Sequence, residues 1–265
     1  MSRLHLSPYE DPAAHARVSA LIRCHSSNPL DVRVAMLRSL DVSGAEAILD
    51  LGCGFGFWAE ELARRVAPTA LFTGVDACVD NEGAYLRTIQ STGRRARFLG
   101  ARLSSRLPFD DDSFDLVVAT YSLYFFVDII PETARVLRPG GRLLAVTHTE
   151  ASIAALLATV GLPGRDSPLL GLIRAFSAEN GEPLLSRTFP RVERVDYRNA
   201  LTFGEDDCED LLDYLRFKLP LIGSQARLRE EGLEDSIERA CGALSHGGVT
   251  FQKDDTLFVC GGRDD

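Results

Sequence analysis

The segment Ile48-Leu49-Asp50-Leu51-Gly52-Cys53-Gly54-Phe55-Gly56-Phe57-Trp58 constrains this chain more than any other. A short apolar run delivers Asp50 and then meets glycines at 52, 54 and 56. The residues from Phe57 to Val66 follow with apolar positions at helical spacing. A strand that turns through glycine into a helix reverses tightly and lets backbone approach a ligand closely. About 20 residues beyond the turn, a second short strand, Leu71 to Val75, ends at another acid, Asp76, where a ribose diol would lie.

The surrounding pattern repeats this unit. Asn81 to Thr92 reads as a helix, Arg97 to Leu99 and Phe114 to Ala119 as strands, Ile129 to Val136 as a helix and Arg142 to Thr147 as a strand. Short apolar strands alternating with helices imply a parallel sheet covered on both faces. Before it, residues 1–44 read as a helical cap, broken at Asn28-Pro29 because proline disfavours a helical residue before it. After the 45–150 core, the alternation stops. Residues 151–190 carry two helical stretches around Gly161 to Gly164, and residues 191–265 carry strands and helices that would complete the sheet. In that last part Val192 to Phe203 reads as one strand, Gln225 to Leu244 as a helix, and Val249 to Gly261 as a hairpin around Lys253-Asp254-Asp255, with its second strand pairing with the sheet.

The 265 residues carry a formal charge of −9, which opposes a phosphate backbone at long range and weighs against a nucleic-acid partner. No two of the six cysteines are spaced as CxxC, so no zinc ribbon or thioredoxin motif is present, and reduced thiols in a cytoplasmic protein are expected. Met1 to Asp11 lacks an apolar signal region, and no apolar run is long enough to span a bilayer, so no membrane partner is expected either.

Asp50 separates two kinds of ligand. A dinucleotide sets its pyrophosphate at the start of the helix after the turn, where a carboxylate is unhelpful. The third glycine of that fingerprint would also fall on Phe57. A carboxylate at the turn suits a cationic ligand, and S-adenosylmethionine offers an ammonium and a sulfonium beside an adenosine. At these residues the chain resembles the class I S-adenosylmethionine-dependent methyltransferases. The likeness extends to Leu107-Pro108-Phe109-Asp110-Asp111-Asp112-Ser113-Phe114-Asp115, which looks like the family's approach to its fourth strand. It also takes in Arg135-Val136-Leu137-Arg138-Pro139-Gly140-Gly141-Arg142-Leu143, which looks like the signature before the fifth, and further stretches downstream, covering roughly residues 30 to 265.

The resemblance implies a Rossmann-like, doubly wound, mostly parallel seven-stranded sheet with helices on both faces and a helical lid inserted after the fifth strand. It implies methyl transfer to a small-molecule acceptor by a monomer or homodimer, with S-adenosylhomocysteine as product. Carried over by position, Asp50 would bind the methionine ammonium, and Gly52, Cys53 and Gly54 would line methionine and ribose through their backbone. Asp76 would take the ribose hydroxyls, Ala77 and Cys78 would flank adenine, and Thr120 and Tyr121 would border the methyl. Two departures stand out. The acid many members carry after the third strand is missing, which leaves the backbone of Ala101, Arg102 and Leu103 to hold adenine. The histidine many carry after the fourth is replaced by Ser122-Leu123-Tyr124.

Tyr124 and His148 are the candidate catalytic residues, with His148 and Glu150 also readable as a base pair, a metal site or a polar strand end. No metal is expected. Trp58 reads as a core residue, Asp110 to Asp112 as a solvated turn, and His25 with Asn28 as a cover for the cofactor or simply a loop. A non-catalytic binding module with the same pocket is the alternative, and a nicotinamide-linked oxidoreductase is disfavoured by Asp50 and Phe57.

Overall fold

The computed structural model describes residues 7–103, 105–161, 167–222, 233–244 and 247–261. Its centre is a seven-stranded sheet built from β1 (Ala47–Leu51), β2 (Leu71–Asp76), β3 (Arg95–Gly100), β4 (Phe114–Thr120), β5 (Leu137–His148), β6 (Arg191–Tyr197) and a C-terminal strand, Asp255–Gly261. The order is β3-β2-β1-β4-β5, then the C-terminal strand, then β6. The first five are mutually parallel, and the C-terminal strand runs antiparallel between β5 and β6.

Successive residues of a strand face opposite sides of the sheet, so a run apolar at every position needs cover on both. Ile48, Phe72, Leu116, Val118 and Leu144 enter one core with Met36, Leu62 and Ile89. The last three come from α2 (Val32–Met36), α3 (Phe57–Ala63) and α4 (Glu82–Gln90). Leu49, Val117, Leu143, Ala145 and Phe258 enter the opposite core. That face is covered by α5 (Ile130–Val136), α6 (Glu150–Thr159), α7 (Pro168–Ile173), α8 (Gly181–Leu185) and α9 (Cys208–Ile222). The helix α1 (Pro12–Cys24), capped by Asp11 with Pro12 in its first turn, crosses to pack on α9. The chain therefore has the parallel sheet covered on both faces that the alternation implies, in the Rossmann-like, doubly wound form that the resemblance implies.

The C-terminal third departs from the expectation in its connections. The single strand expected from Val192 to Phe203 is two: β6 stops at Tyr197 and β7 (Ala200–Phe203) leaves the main sheet. Asn199 makes the break. Its side chain accepts from Asn28 N at 3.1 Å and donates to Ser26 Oγ at 3.0 Å, tying this bend to the loop after α1. The expected hairpin of Val249 to Gly261 does not form. β8 (Val249–Gln252) pairs antiparallel with β7 in a separate two-stranded sheet, and β9 (Asp255–Gly261) pairs with β5 and β6. Lys253-Asp254-Asp255 is thus a buried crossing between sheets: Asp254 N donates to Ser152 Oγ at 2.7 Å, and Asp254 accepts from Asn199 N at 2.8 Å. Of the expected helix Gln225 to Leu244, residues 233–244 are helical and the rest lies outside the described residues, as does most of the Gly161 to Gly164 linker.

Candidate functional site

A cavity of about 840 Å³ opens over the carboxyl ends of β1, β2, β4 and β5. This is the edge where parallel strands hand over to loops, and where such folds hold ligands. Gly52, Cys53, Gly54, Asp76, Ala77, Ala101, Arg102, Leu103, Thr120, Tyr121 and His148 line it, together with Cys78 and Asn28. Asp50 lies just beneath, 2% exposed.

The glycine turn is fixed by hydrogen bonds from its own amides. Gly52 N and Cys53 N both donate to Val75 O, at 2.8 and 3.2 Å. Gly54 N donates to Asp76 Oδ2 at 2.8 Å, and Asp76 Oδ1 accepts from Cys78 N at 2.8 Å. Gly52 has φ +69°, and a Cβ there would sit 2.5 Å from the Ser122 Cβ, so no other residue fits. Ser122 is locked in turn by donating to Leu51 O at 2.6 Å.

The two acids of the turn have opposite surroundings. Each oxygen of Asp76 already accepts a backbone N–H, and its remaining lone pairs face the cavity. Asp50 Oδ1 has no partner at all. Burial, and then the Asp76 charge, push the Asp50 carboxyl up to about 8. A buried acceptor without a donor costs free energy, and a cationic group above the turn would supply the missing partner. Asn81 offers a second orphan: 1% exposed, it lines the cavity beside Cys78 with its Oδ1 unpartnered. These residues fit an aminoacyl-nucleoside with a positive amine, the chemistry of S-adenosylmethionine. The Asn81 position was not apparent in the sequence, since it lies in a short 3-10 turn with no motif.

Farther along the cavity, cross-strand register sets a second group. His148 on β5 lies directly opposite Asp255 on β9. His148 Nδ1 bonds Asp255 Oδ1 at 2.6 Å, and Lys253 Nζ donates to Asp255 Oδ2 at 2.6 Å. The Tyr121 ring stacks on the imidazole, 4.5 Å between centroids and 19° between planes. Tyr121 holds φ +54°, an uncommon conformation for a bulky residue and one that concentrates at functional sites. Burial and the Lys253 charge lower His148 to about 4 against the pull of Asp255, so the imidazole is neutral at pH 7. Burial alone would raise Asp255, but Lys253 and His148 hold it down at about 2. With Nδ1 bound to a carboxylate, Nε2 carries the lone pair.

Several expected placements are corrected. Tyr124 does not line the cavity: it packs in the core, 3% exposed, with its ring against Phe125. The partner of His148 is Asp255, while Glu150 turns to Arg174 at 3.0 Å and forms no metal cluster with His148. His25 faces away, bonded to Asp210 at 2.8 Å and stacked on Phe203. Trp58 is buried as expected and also forms part of the cavity wall. Among the described residues of 151–190, none lines the cavity. Its roof comes instead from Tyr9, His15, Val18 and Ile22 at the N-terminus, and from Phe217 and Lys218 on α9. His15 reaches the glycine turn, its Cε1 3.7 Å from where a Gly54 Cβ would stand. Its ring is held among Tyr9, Phe55 and Phe217.

Residues 48–141 match a family described as a methyltransferase domain. A demethylmenaquinone methyltransferase of Lactococcus lactis subsp. lactis is 33% identical over 122 residues, 44% of this chain and 48% of that protein. Methyltransferase GfsG of Streptomyces halstedii is 37% identical over 108 residues, 39% of this chain and 38% of that protein. Each match thus spans less than half of the relative's length. The fold recurs in a crystal structure from Bacillus halodurans C-125, 18% identical with a TM-score of 0.57 over 87% of this chain and 98% of the other. It recurs also in the [4+2]-cyclase SpnF, 17% identical with a TM-score of 0.54 over 95% and 94%. Over residues 48–141 the chain thus carries a methyltransferase domain, and over most of its length it shares the fold of these solved structures.

Proposed function

We propose that this protein transfers a methyl group from S-adenosylmethionine to a small organic acceptor. The observation that carries the reading is Asp50: a buried carboxylate with an unpartnered oxygen, under a glycine turn braced by Asp76, at one end of a cavity that continues to His148. Fold alone would not choose the reaction, because the same architecture serves a cyclase in SpnF.

When bound, the cofactor supplies an electrophilic methyl on a sulfonium. Asp50 holds the ammonium, and the Gly52, Cys53 and Gly54 backbone lines the methionine and ribose. The free lone pairs of Asp76 accept from the ribose hydroxyls. Ala77, Ala101, Arg102 and Leu103 flank the adenine, and Asn81 Oδ1 accepts from its amino group. Thr120 and Tyr121 border the methyl. His148 Nε2 takes a proton from the acceptor, while Asp255 holds the ring in the tautomer that leaves Nε2 basic. The aromatic rings of Tyr9 and Phe217 in the roof, with Phe126 in the wall by Gly52, exclude water and favour a ring-bearing acceptor. Relatives named for demethylmenaquinone fit an acceptor of that kind.

Calorimetric titration tests the cofactor assignment: S-adenosylmethionine and its homocysteine product should bind, and NAD should not. NAD binding more tightly would remove the assignment. Formation of S-adenosylhomocysteine with a panel of phenols and enols then separates a transferase from a binding module.

A further inference from the structure

The cavity is electrically polarised. Its cofactor end carries the Asp76 carboxylate, and its far end carries Lys218 and Lys253 with Asp255 as the carboxylate bonded to that pair; the other acids of the described lining are Glu10, exposed, and Asp31, paired with Arg33. Both Asp255 oxygens are engaged, one by His148 and one by Lys253. Lys218 has no carboxylate partner among the described residues; its nearest favourable contact is the face of Phe217, 5.5 Å away. The wall contributed by the N-terminal segment and Phe217 is mainly apolar, with Tyr9, Val18, Ile22 and Phe217 beside the polar His15 and Ser19. An ammonium in such a place is costly unless an anion arrives.

We propose that this end of the cavity binds the acceptor as an organic oxyanion, a carboxylate or enolate on an apolar skeleton, with Lys218 as its counter-ion and Lys253 beside it. This rests on the methyl-transfer reading only for the word acceptor; the anion site stands on its own geometry. The electrostatic couplings are mutual. Burial and the charge of Lys253 push Lys218 down to about 8, with Asp255 pulling the other way, and Lys218 also lowers His15 and His148. These groups therefore share one field, and it carries one positive charge more than it neutralises. A neutral or cationic acceptor would leave that charge uncompensated. An oxyanion removes it, in the same cavity that His148 lines.

The test uses the full chain and Trp58, its only tryptophan, which stands in the cavity wall and reports occupancy by fluorescence. Benzoate, phenylacetate and cinnamate are each titrated against the corresponding primary amide, with and without S-adenosylhomocysteine. At least one carboxylate should bind about tenfold or more tightly than its amide, the ratio expected for one charge-assisted contact. Lys218→Met should abolish that preference, Lys218→Arg should keep it, and both should bind S-adenosylhomocysteine as the parent does. Equal affinity for every acid and amide in the parent protein overturns the proposal, whatever the variants do. So does a Lys218→Met protein that keeps the full preference. A carboxylate preference in a protein that fails to bind S-adenosylhomocysteine supports the anion site and removes the cofactor assignment instead.

Discussion

Asp50 and Asp76 end neighbouring strands, and the difference in their partners gives each a distinct signature. Asp50 is raised to about 8 in the folded protein, above its ordinary value of 3.8. Between those values the native state holds a proton that the unfolded chain has lost, so stability falls as pH rises through that window. Asp50→Asn, always neutral, escapes this loss. Its cofactor-free melting temperature should exceed that of the parent at pH 8, while its affinity for S-adenosylmethionine falls at least about tenfold with the loss of a charged contact. Asp76 works the other way, because it braces the turn as well as facing the cavity. Asp76→Ala should lose affinity and also destabilise by about 1–2 kcal/mol, since two part-buried donors lose their acceptor; a urea titration measures the second effect. His148→Gln should lower turnover by about 10²- to 10⁴-fold, the range for a removed general base, with cofactor affinity unchanged by calorimetry. Asp50 and Asp76 were legible in the sequence because the whole unit lies within contiguous strand, turn and helix. Lys253 and Asp255 were not. Read locally, two acids beside a lysine look like a hairpin tip, and only the register of β9 against β5 brings them to His148.

At the scale of elements, the parallel core was readable because strands buried on both faces must be apolar at every position. The C-terminal third was not, because alternation announces a strand without naming its neighbour. β7 and β8 have the pattern of sheet strands and pair with each other, and Asn199 enforces the break through side-chain bonds no periodicity reports. The segment 151–190 shows the same limit. The resemblance implies a lid here, yet Leu157, Ile173 and Phe176 are at most 1% exposed and pack in the core that takes in β5 and β9. The edge of the Phe176 ring meets Phe258 at 5.9 Å. Phe176→Ala should therefore cost about 3–5 kcal/mol of folding stability, read as a drop in the urea midpoint, while the variant that remains folded binds S-adenosylhomocysteine normally. A small stability change with altered turnover would return this segment to the role of lid, and replacing it by a short linker should unfold the protein.

For the molecule as a whole, the site and the stability curve are coupled through groups held in unfavourable charge states. His15 is lowered to about 3 by burial and by Lys218, and its Nδ1 has no partner. His148 is lowered to about 4 by burial and Lys253. Below the ordinary histidine value of 6.5 the unfolded chain takes up protons at both positions while the native state does not, so the unfolded state gains with each step toward acid. Their effect is to lower stability as pH falls from about 6.5 toward 3 to 4, the opposite slope to that of Asp50. The two windows overlap below pH 6.5, where two histidines outweigh one carboxyl, so on these groups the cofactor-free protein should be most stable near pH 6.5, where the opposing slopes cancel. Ligand changes only one flank. An ammonium above Asp50 pairs with its ionised form, so S-adenosylhomocysteine should add more stability at pH 8 than at pH 5, and its binding near neutrality should release a proton, seen as a dependence of the calorimetric heat on buffer ionisation enthalpy. The acid flank should persist in the complex, because burial is the first cause of the lowered His15 and His148 and a ligand filling the cavity they line deepens it, and His15→Phe should make it shallower. Melting temperatures measured across pH with and without S-adenosylhomocysteine decide the matter: a ligand effect uniform in pH would mean that Asp50 does not face the amine.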